Sequence, residues 1–134
     1  MTERRHHLSV RVYYEDTDFS GVVYHASYLR FLERGRTEML REAGVEQAML
    51  TDAEGEALAF AVRHMSIDFL RPARMDDLVE VETHLDKCGG ASLSIRQSIR
   101  RHDDLLVTAE VKVALVGGGR ARRLPSALTA RLIA

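Results

Sequence analysis

The chain has 134 residues, of which 46% are hydrophobic and 29% charged, with a formal net charge of -1. That length suits one domain around one core, residues 1–134, and the balance of charge gives no reason to expect a nucleic-acid partner or a membrane surface. The single cysteine, Cys88, excludes an intrachain disulfide framework and a cysteine-based zinc site. "MTERRHHLSV" is basic, but no apolar signal-peptide core follows it, and "ALAFAV" and "VALV" are far too short to span a bilayer; a cytoplasmic, uninserted protein is expected.

Residues 8–14, "LSVRVYY", alternate and predict a first strand with Leu8, Val10, Val12 and Tyr14 on one face. His6 and His7 before it are expected in a solvated terminus. An acidic loop with Glu15, Asp16 and Asp18 comes next. Residues 25–43 predict the best helix of the chain, with Tyr28, Leu32, Gly35, Met39 and Ala43 on one stripe and Leu29, Arg36 and Leu40 beside it. Gly44 is placed to close that helix. Gly35 costs about 1 kcal/mol relative to alanine in a helix interior, so close approach to a flat partner such as a sheet is expected there.

Residues 57–70 predict a long strand. Its large apolar residues switch from even positions (Leu58, Phe60, Val62) to odd ones (Met65, Ile67, Phe69), which requires a bulge or bend near Arg63 and His64. Strands with one apolar face are predicted at 78–85, 91–100 and 105–116, and "SALTARLIA" predicts a short closing helix. One long helix stripe then faces strands that each have one apolar side. The economical packing is an α+β arrangement, a curved antiparallel sheet wrapped around a central helix, known as the hotdog fold.

The chemistry-bearing stretch is "EDTDFSGVVYH", which runs from the first strand into the helix start. The first N–H groups of a helix lack intrahelical partners and carry partial positive charge, so they can stabilise an oxyanion. A carboxylate in the same loop can attack a carbonyl or activate a water, and Gly21 lets the chain approach a ligand without a Cβ. Spacing alone also fits plain charge bias at a helix N-terminus, and a lone His25 there also fits a cap or a surface side chain. "DTD" starts like a calcium loop, but the remaining ligands and the distal glutamate do not follow.

"YYEDTDFSGVVYHASYLRFLERGRTEMLREAG" resembles the signature of bacterial acyl-CoA thioesterases associated with the Tol-Pal system, in the 4-hydroxybenzoyl-CoA thioesterase branch of the hotdog superfamily. The resemblance resumes at "IDFLRPARMDDLVEVET" and more weakly at "SLSIRQSI" and "RLPSAL". It implies hydrolysis of an acyl-CoA, or of an acyl-carrier-protein thioester, to a free acid and a thiol with no cofactor or metal. Asp18 would be the catalytic carboxylate, as nucleophile or general base. His25 would contribute first its backbone N–H, aimed at the thioester carbonyl, and then its imidazole. Gly21, Val22, Val23 and Tyr24 would shape the site, and Asp16 would be a structural loop residue. Basic and polar residues for the CoA phosphates would come from Lys87 and Ser92 around the "GGAS" turn, or from Arg71 and Arg74. The resemblance also implies a homodimer with sheets joined edge to edge, and a dimer-of-dimers tetramer. Gly35 departs from the alanine usual in that helix. Two rival readings are a non-catalytic acyl-CoA-binding or envelope-scaffold module and a hotdog dehydratase, and the missing Pro-Gly pattern after His25 argues against the second.

Overall fold

A computed structural model describes residues 4–133. Strand β1 (Arg5–Arg11) leads through a 3-10 turn (Tyr14–Asp16) to helix α1 (His25–Glu42). After a second 3-10 turn (Gln47–Met49) come β2 (Ala59–Phe69), β3 (Leu78–Gly89), β4 (Ser92–Arg101), β5 (Asp104–Gly117), the short β6 (Arg120–Ala121) and helix α2 (Ser126–Ile133). The sheet is antiparallel, in the order β1-β3-β4-β5-β2, with β6 added to β5. Helix α1 lies against β1 and β3, and the sheet curls around it in the expected hotdog arrangement.

The alternation in each strand sets the core. Val79, Val81 and Leu85 of β3, Leu93, Ile95 and Ile99 of β4, and Val107, Val111, Val113 and Leu115 of β5 are buried against Tyr28, Phe31, Leu32, Met39 and Leu40 of α1. In β2 the register slips between Val62 and His64, where the apolar phase changes. The slip keeps Phe60 on the core side before it and Met65 and Ile67 after it.

Gly35 sits where the helix comes closest to the sheet. A Cβ there would lie 2.7 Å from Thr83 Oγ1, 2.8 Å from Val81 Cγ1 and 3.1 Å from Gln97 Nε2. Around this contact Gln97 acts as a polar staple. Its amide nitrogen donates to Leu32 O and to Thr83 Oγ1, both at 2.9 Å, and its Oε1 accepts from the buried Arg36 at 3.1 Å. Burial pulls the Arg36 guanidinium below its ordinary pKa, while nearby Glu33 acts the other way. The helix closes in a Schellman motif. Gly44, at φ +84°, donates to Arg41 O at 2.9 Å, and Val45 N–H donates to Leu40 O at 2.8 Å.

The first strand differs from expectation. It starts at Arg5, with His6 opposite Thr83 and His7 opposite Glu82, and it ends at Arg11. His7 pairs with Glu80 at 2.5 Å, while the His6 side chain is mostly covered. Tyr14 is 78% exposed and not on the core face. The Tyr13 N–H has turned away to donate to Asp16 Oδ2 at 2.8 Å, which starts the 3-10 turn and ends the strand.

Candidate active site

The loop after β1 folds into a small hairpin. Thr17 bridges Val23, the Asp18 N–H donates to Val22 O at 3.0 Å, and the Tyr24 N–H donates to Asp16 O at 2.9 Å. Phe19, Ser20 and Gly21 form its three-residue tip, closed by Gly21 N–H to Asp18 O at 3.0 Å. Gly21 has φ +85° and open space where a Cβ would be. A glycine in the left-handed region is what a three-residue hairpin loop requires at that position. The hairpin is stitched to the segment before β3: Val22 bridges Arg74, and Val23, itself buried, donates its N–H to Ala73 O at 2.9 Å.

Asp16 and Asp18 separate cleanly. Asp16 is 6% exposed, and its carboxylate holds the Tyr13 N–H, with Arg30 at 3.9 Å. Asp18 stands at the hairpin turn, partly exposed, with one oxygen, Oδ1, accepting from both the Ser20 N–H at 2.9 Å and the Ser20 hydroxyl. The Ser20 hydroxyl first, then the Ser20 N–H, hold the Asp18 carboxyl below its ordinary value of 3.8; partial burial opposes them. It is therefore ionised at neutral pH, as a nucleophile or base must be.

The second arm of the hairpin runs straight into α1. Tyr24 is the N-cap residue, with no side-chain cap, and His25 is the first helical residue. The Ser27 N–H is taken by Tyr24 O at 2.8 Å. Among the described residues the N–H groups of His25 and Ala26 meet no acceptor. Two donors at the positive end of an 18-residue helix are thus open to a ligand.

Three further side chains shape this end of the helix. The His25 ring packs on Tyr24 at 4.4 Å between centroids and edge-on to Phe69 at 6.2 Å. Phe69 also packs on Tyr28 at 5.7 Å, and the buried Tyr28 hydroxyl accepts the Ala73 N–H at 2.9 Å. Sequence reasoning assigned no site role to Tyr28 or Phe69. Tyr28 carried a signal, since it follows His25 by one helical turn; Phe69 carried none beyond being an aromatic at the end of a strand.

The residues considered for phosphate contacts divide. Arg74 is bridged to Val22 and lies at the hairpin, whereas Arg71 is paired with Asp104 at 3.6 Å. Lys87 and Ser92 are not brought to Asp18 and His25 within the chain. The site occupies the end of the sheet where Phe69, Val107, Ile99 and Val81 lie side by side. Lys87 follows Val81 along β3 by roughly 20 Å at a strand rise of about 3.3 Å per residue, and Ser92 is beyond it at the β3–β4 turn. The largest of the described grooves, about 450 Å³, is likewise elsewhere, across the polar face of the sheet between Arg5, Asp68, Glu82, His84, Arg96 and Glu110. Chemistry rather than volume marks the site: at the hairpin tip Phe19 is fully exposed and the space beside Gly21 is open.

A curled antiparallel sheet around one long helix, with a carboxylate-bearing hairpin at the helix entry, defines a hotdog-fold protein. The family model described as the thioesterase superfamily matches residues 20–108. The chain is 48% identical over 111 residues to an acyl-CoA thioesterase YbgC of Haemophilus influenzae, covering 83% of this chain and 80% of that one. It is 46% identical over 124 residues to an acyl-CoA thioester hydrolase YbgC of Escherichia coli O157:H7, covering 90% of each. A probable thioesterase from Bartonella henselae superposes with a TM-score of 0.86 at 49% identity, covering 90% of this chain and 99% of that one. A thioesterase from Thermus thermophilus complexed with coenzyme A and Zn gives 0.82 at 26% identity, covering 96% and 97%. This chain belongs to the thioesterase superfamily.

Proposed function

We propose that the protein hydrolyses acyl-CoA thioesters to a free acid and CoA thiol. The observation that carries this reading is the single hairpin that holds an ionised Asp18 just before its tip and the unclaimed His25 N–H at its base. The His25 and Ala26 N–H groups polarise the thioester carbonyl and stabilise the oxyanion as it forms. Asp18 attacks the carbonyl carbon or takes the proton from an attacking water. Gly21 permits the turn, Val22 and Val23 fix the hairpin to Ala73 and Arg74, and Tyr24 with Phe69 flanks the His25 imidazole. The names of the relatives, acyl-CoA thioesterase and acyl-CoA thioester hydrolase, support the substrate class. Neither mechanistic version calls for a metal or an organic cofactor.

The proposal includes a homodimer. Among the described residues β2 pairs on one side only, with β5, and its other edge is open. Antiparallel pairing of two β2 edges about their middle brings the Phe69 end of one copy to the Ala59 end of the other. The Ala59 end of the sheet carries Ser92 and, close by, Lys87. In that dimer both residues lie at the end of the sheet that the partner's site approaches, and their chemistry suits the CoA end of its substrate. The resemblance of the sequence adds finer elements to the same proposal: a dimer-of-dimers tetramer, carrier-protein thioesters as alternative substrates, the 4-hydroxybenzoyl-CoA branch and an association with the Tol-Pal system; a cytoplasmic location is proposed from the sequence's lack of a signal-peptide pattern. Among the described residues no helix is long and apolar enough to cross a membrane.

The test is a panel of acyl-CoA substrates of graded chain length and head group, read by a thiol reporter. Turnover on part of the panel is expected. Binding of CoA esters without thiol release on any of them would replace this reading with that of a binding module.

A further inference from the structure

We infer that Ser20 is a positioning residue for the reaction: it anchors Oδ1 of Asp18 and thereby leaves Oδ2 as the oxygen that meets the thioester or its attacking water. The inference rests on the assignment of Asp18 as the reactive carboxylate. Both donors of Ser20, its N–H at 2.9 Å and its hydroxyl, converge on Oδ1. Among the described residues the hydrogen bonds of normal geometry to the carboxylate both go to Oδ1; the Val22 N–H and the Asp18 N–H stabilise its charged form more weakly. Packing does not restrain this loop tip. Phe19 is fully exposed, and the Cα of Gly21 faces open space. The backbone of Asp18 is fixed by the bonds to Val22 and Gly21, so the Ser20 bonds are what hold the side-chain torsions.

The charged groups of the neighbouring segments are Glu15 and Asp16 in the same loop, Arg74 beside Val22, and His25 after the hairpin. Among the described residues none of them forms an ion pair with Asp18, and no charged neighbour is among the causes of its depressed pKa. The carboxylate is therefore tuned and aimed by hydrogen bonds rather than by a countercharge. In the nucleophilic version Oδ2 bonds to the carbonyl carbon, the C–S bond breaks, and the CoA thiolate leaves and is protonated by water; a water then hydrolyses the mixed anhydride. In the general-base version a water oxygen bonds to that carbon while Oδ2 takes its proton, and the leaving thiolate receives it. In both, the Ser20 proton stays on Ser20.

The test compares Ser20→Ala, Ser20→Thr and Ser20→Gly across pH on an acyl-CoA that the wild type turns over. Loss of the hydroxyl in Ser20→Ala is expected to lower kcat about tenfold through a looser carboxylate while KM stays unchanged. It is also expected to move the acid limb of kcat/KM to higher pH, because the main cause of the depressed Asp18 value is gone. Ser20→Thr restores both, and Ser20→Gly, which keeps the N–H, behaves as Ser20→Ala; it stands in for Ser20→Ala if that variant does not fold. A wild-type kcat with an unmoved acid limb in the hydroxyl-less variants overturns the inference, as does failure of Ser20→Thr to restore either. Asp18→Asn is run beside them. If it is inactive while Ser20→Ala matches wild type, Ser20 fails and the Asp18 assignment stands; if Asp18→Asn is fully active, the underlying reading fails first.

Discussion

His25→Pro removes one hydrogen atom from the proposed oxyanion site and leaves the helix in place. Proline is tolerated at the first helical position, where its missing N–H breaks no intrahelical bond. Tyr24, which would precede it, already sits at φ -64° and ψ 134°, a conformation allowed before proline. Since the His25 N–H meets no acceptor within the described chain, the fold loses no hydrogen bond. His25→Ala is the reference, because both variants lose the imidazole and its packing on Tyr24 and Phe69. Deleting one oxyanion donor costs roughly 3–4 kcal/mol, or about 10²–10³ in kcat. His25→Pro should therefore fall below His25→Ala by about that factor, with KM little changed and the urea midpoint preserved. His25→Ala itself should lose roughly a hundredfold, the smaller end of what a proton-handling side chain contributes. Equal kcat values for the two folded variants would refute the role given to the backbone donor.

Three other outcomes follow from the same structure. Gly35→Ala gains about 1 kcal/mol of helix propensity but drives a methyl into Thr83, Val81 and the Gln97 staple. Overpacking costs about 1–3 kcal/mol, and two contacts under 3.0 Å with interior side chains put it at the upper end, so a net loss of about 2 kcal/mol is expected in urea unfolding; a variant as stable as wild type would contradict the close approach. Asp77 accepts from Arg101 at 2.7 Å and from the Arg74 N–H at 2.9 Å. Burial raises its pKa, but these partners outweigh it and hold the carboxyl below 3.8. Its contribution is present above the ordinary aspartate value and is lost as pH falls through the depressed one, so Asp77→Asn should lower stability at neutral and alkaline pH alike and flatten the fall on the acid side, where the two proteins converge. Sedimentation of the native protein should give a dimer or a multiple of it, and a monomer at assay concentration would remove the assignment of Lys87 and Ser92 to a partner's site.

The helix and the later strands were legible because their burial follows one period. Gly44 announced its cap, and the change from Phe60 and Val62 to Met65 and Ile67 announced the slip at Val62/His64. The first strand was displaced because its register depends on β3. His6 and His7 look like a solvated terminus until β3 supplies Thr83 and Glu82 opposite them. Phe31, fully buried, was left out of the helix's apolar face, while Leu29, placed beside the stripe, is 41% exposed. The buried face is rotated toward the side where the sheet curls over, and no single-helix pattern shows that. At the site, Gly21 and the helix start at His25 left local marks in turn chemistry, whereas the choice of Asp18 over Asp16 and the role given to His25 came from the family resemblance. The role of Ser20 could not be picked out, since a serine in a loop is ordinary until both its donors are seen on one oxygen. Phe69 and Ala73 reach the site only through the folding of distant chain.

The central claim is that the Asp18 carboxylate carries out thioester hydrolysis, and the direct measurement is thiol release by Asp18→Asn beside wild type under saturating acyl-CoA. The substitution keeps size and an acceptor oxygen for Ser20 but removes the charge. Turnover is expected to fall by several orders of magnitude, on the order of the loss seen when a reacting group is deleted, with CoA-ester binding and the unfolding midpoint unchanged. Near wild-type thiol release by the folded variant would contradict the account.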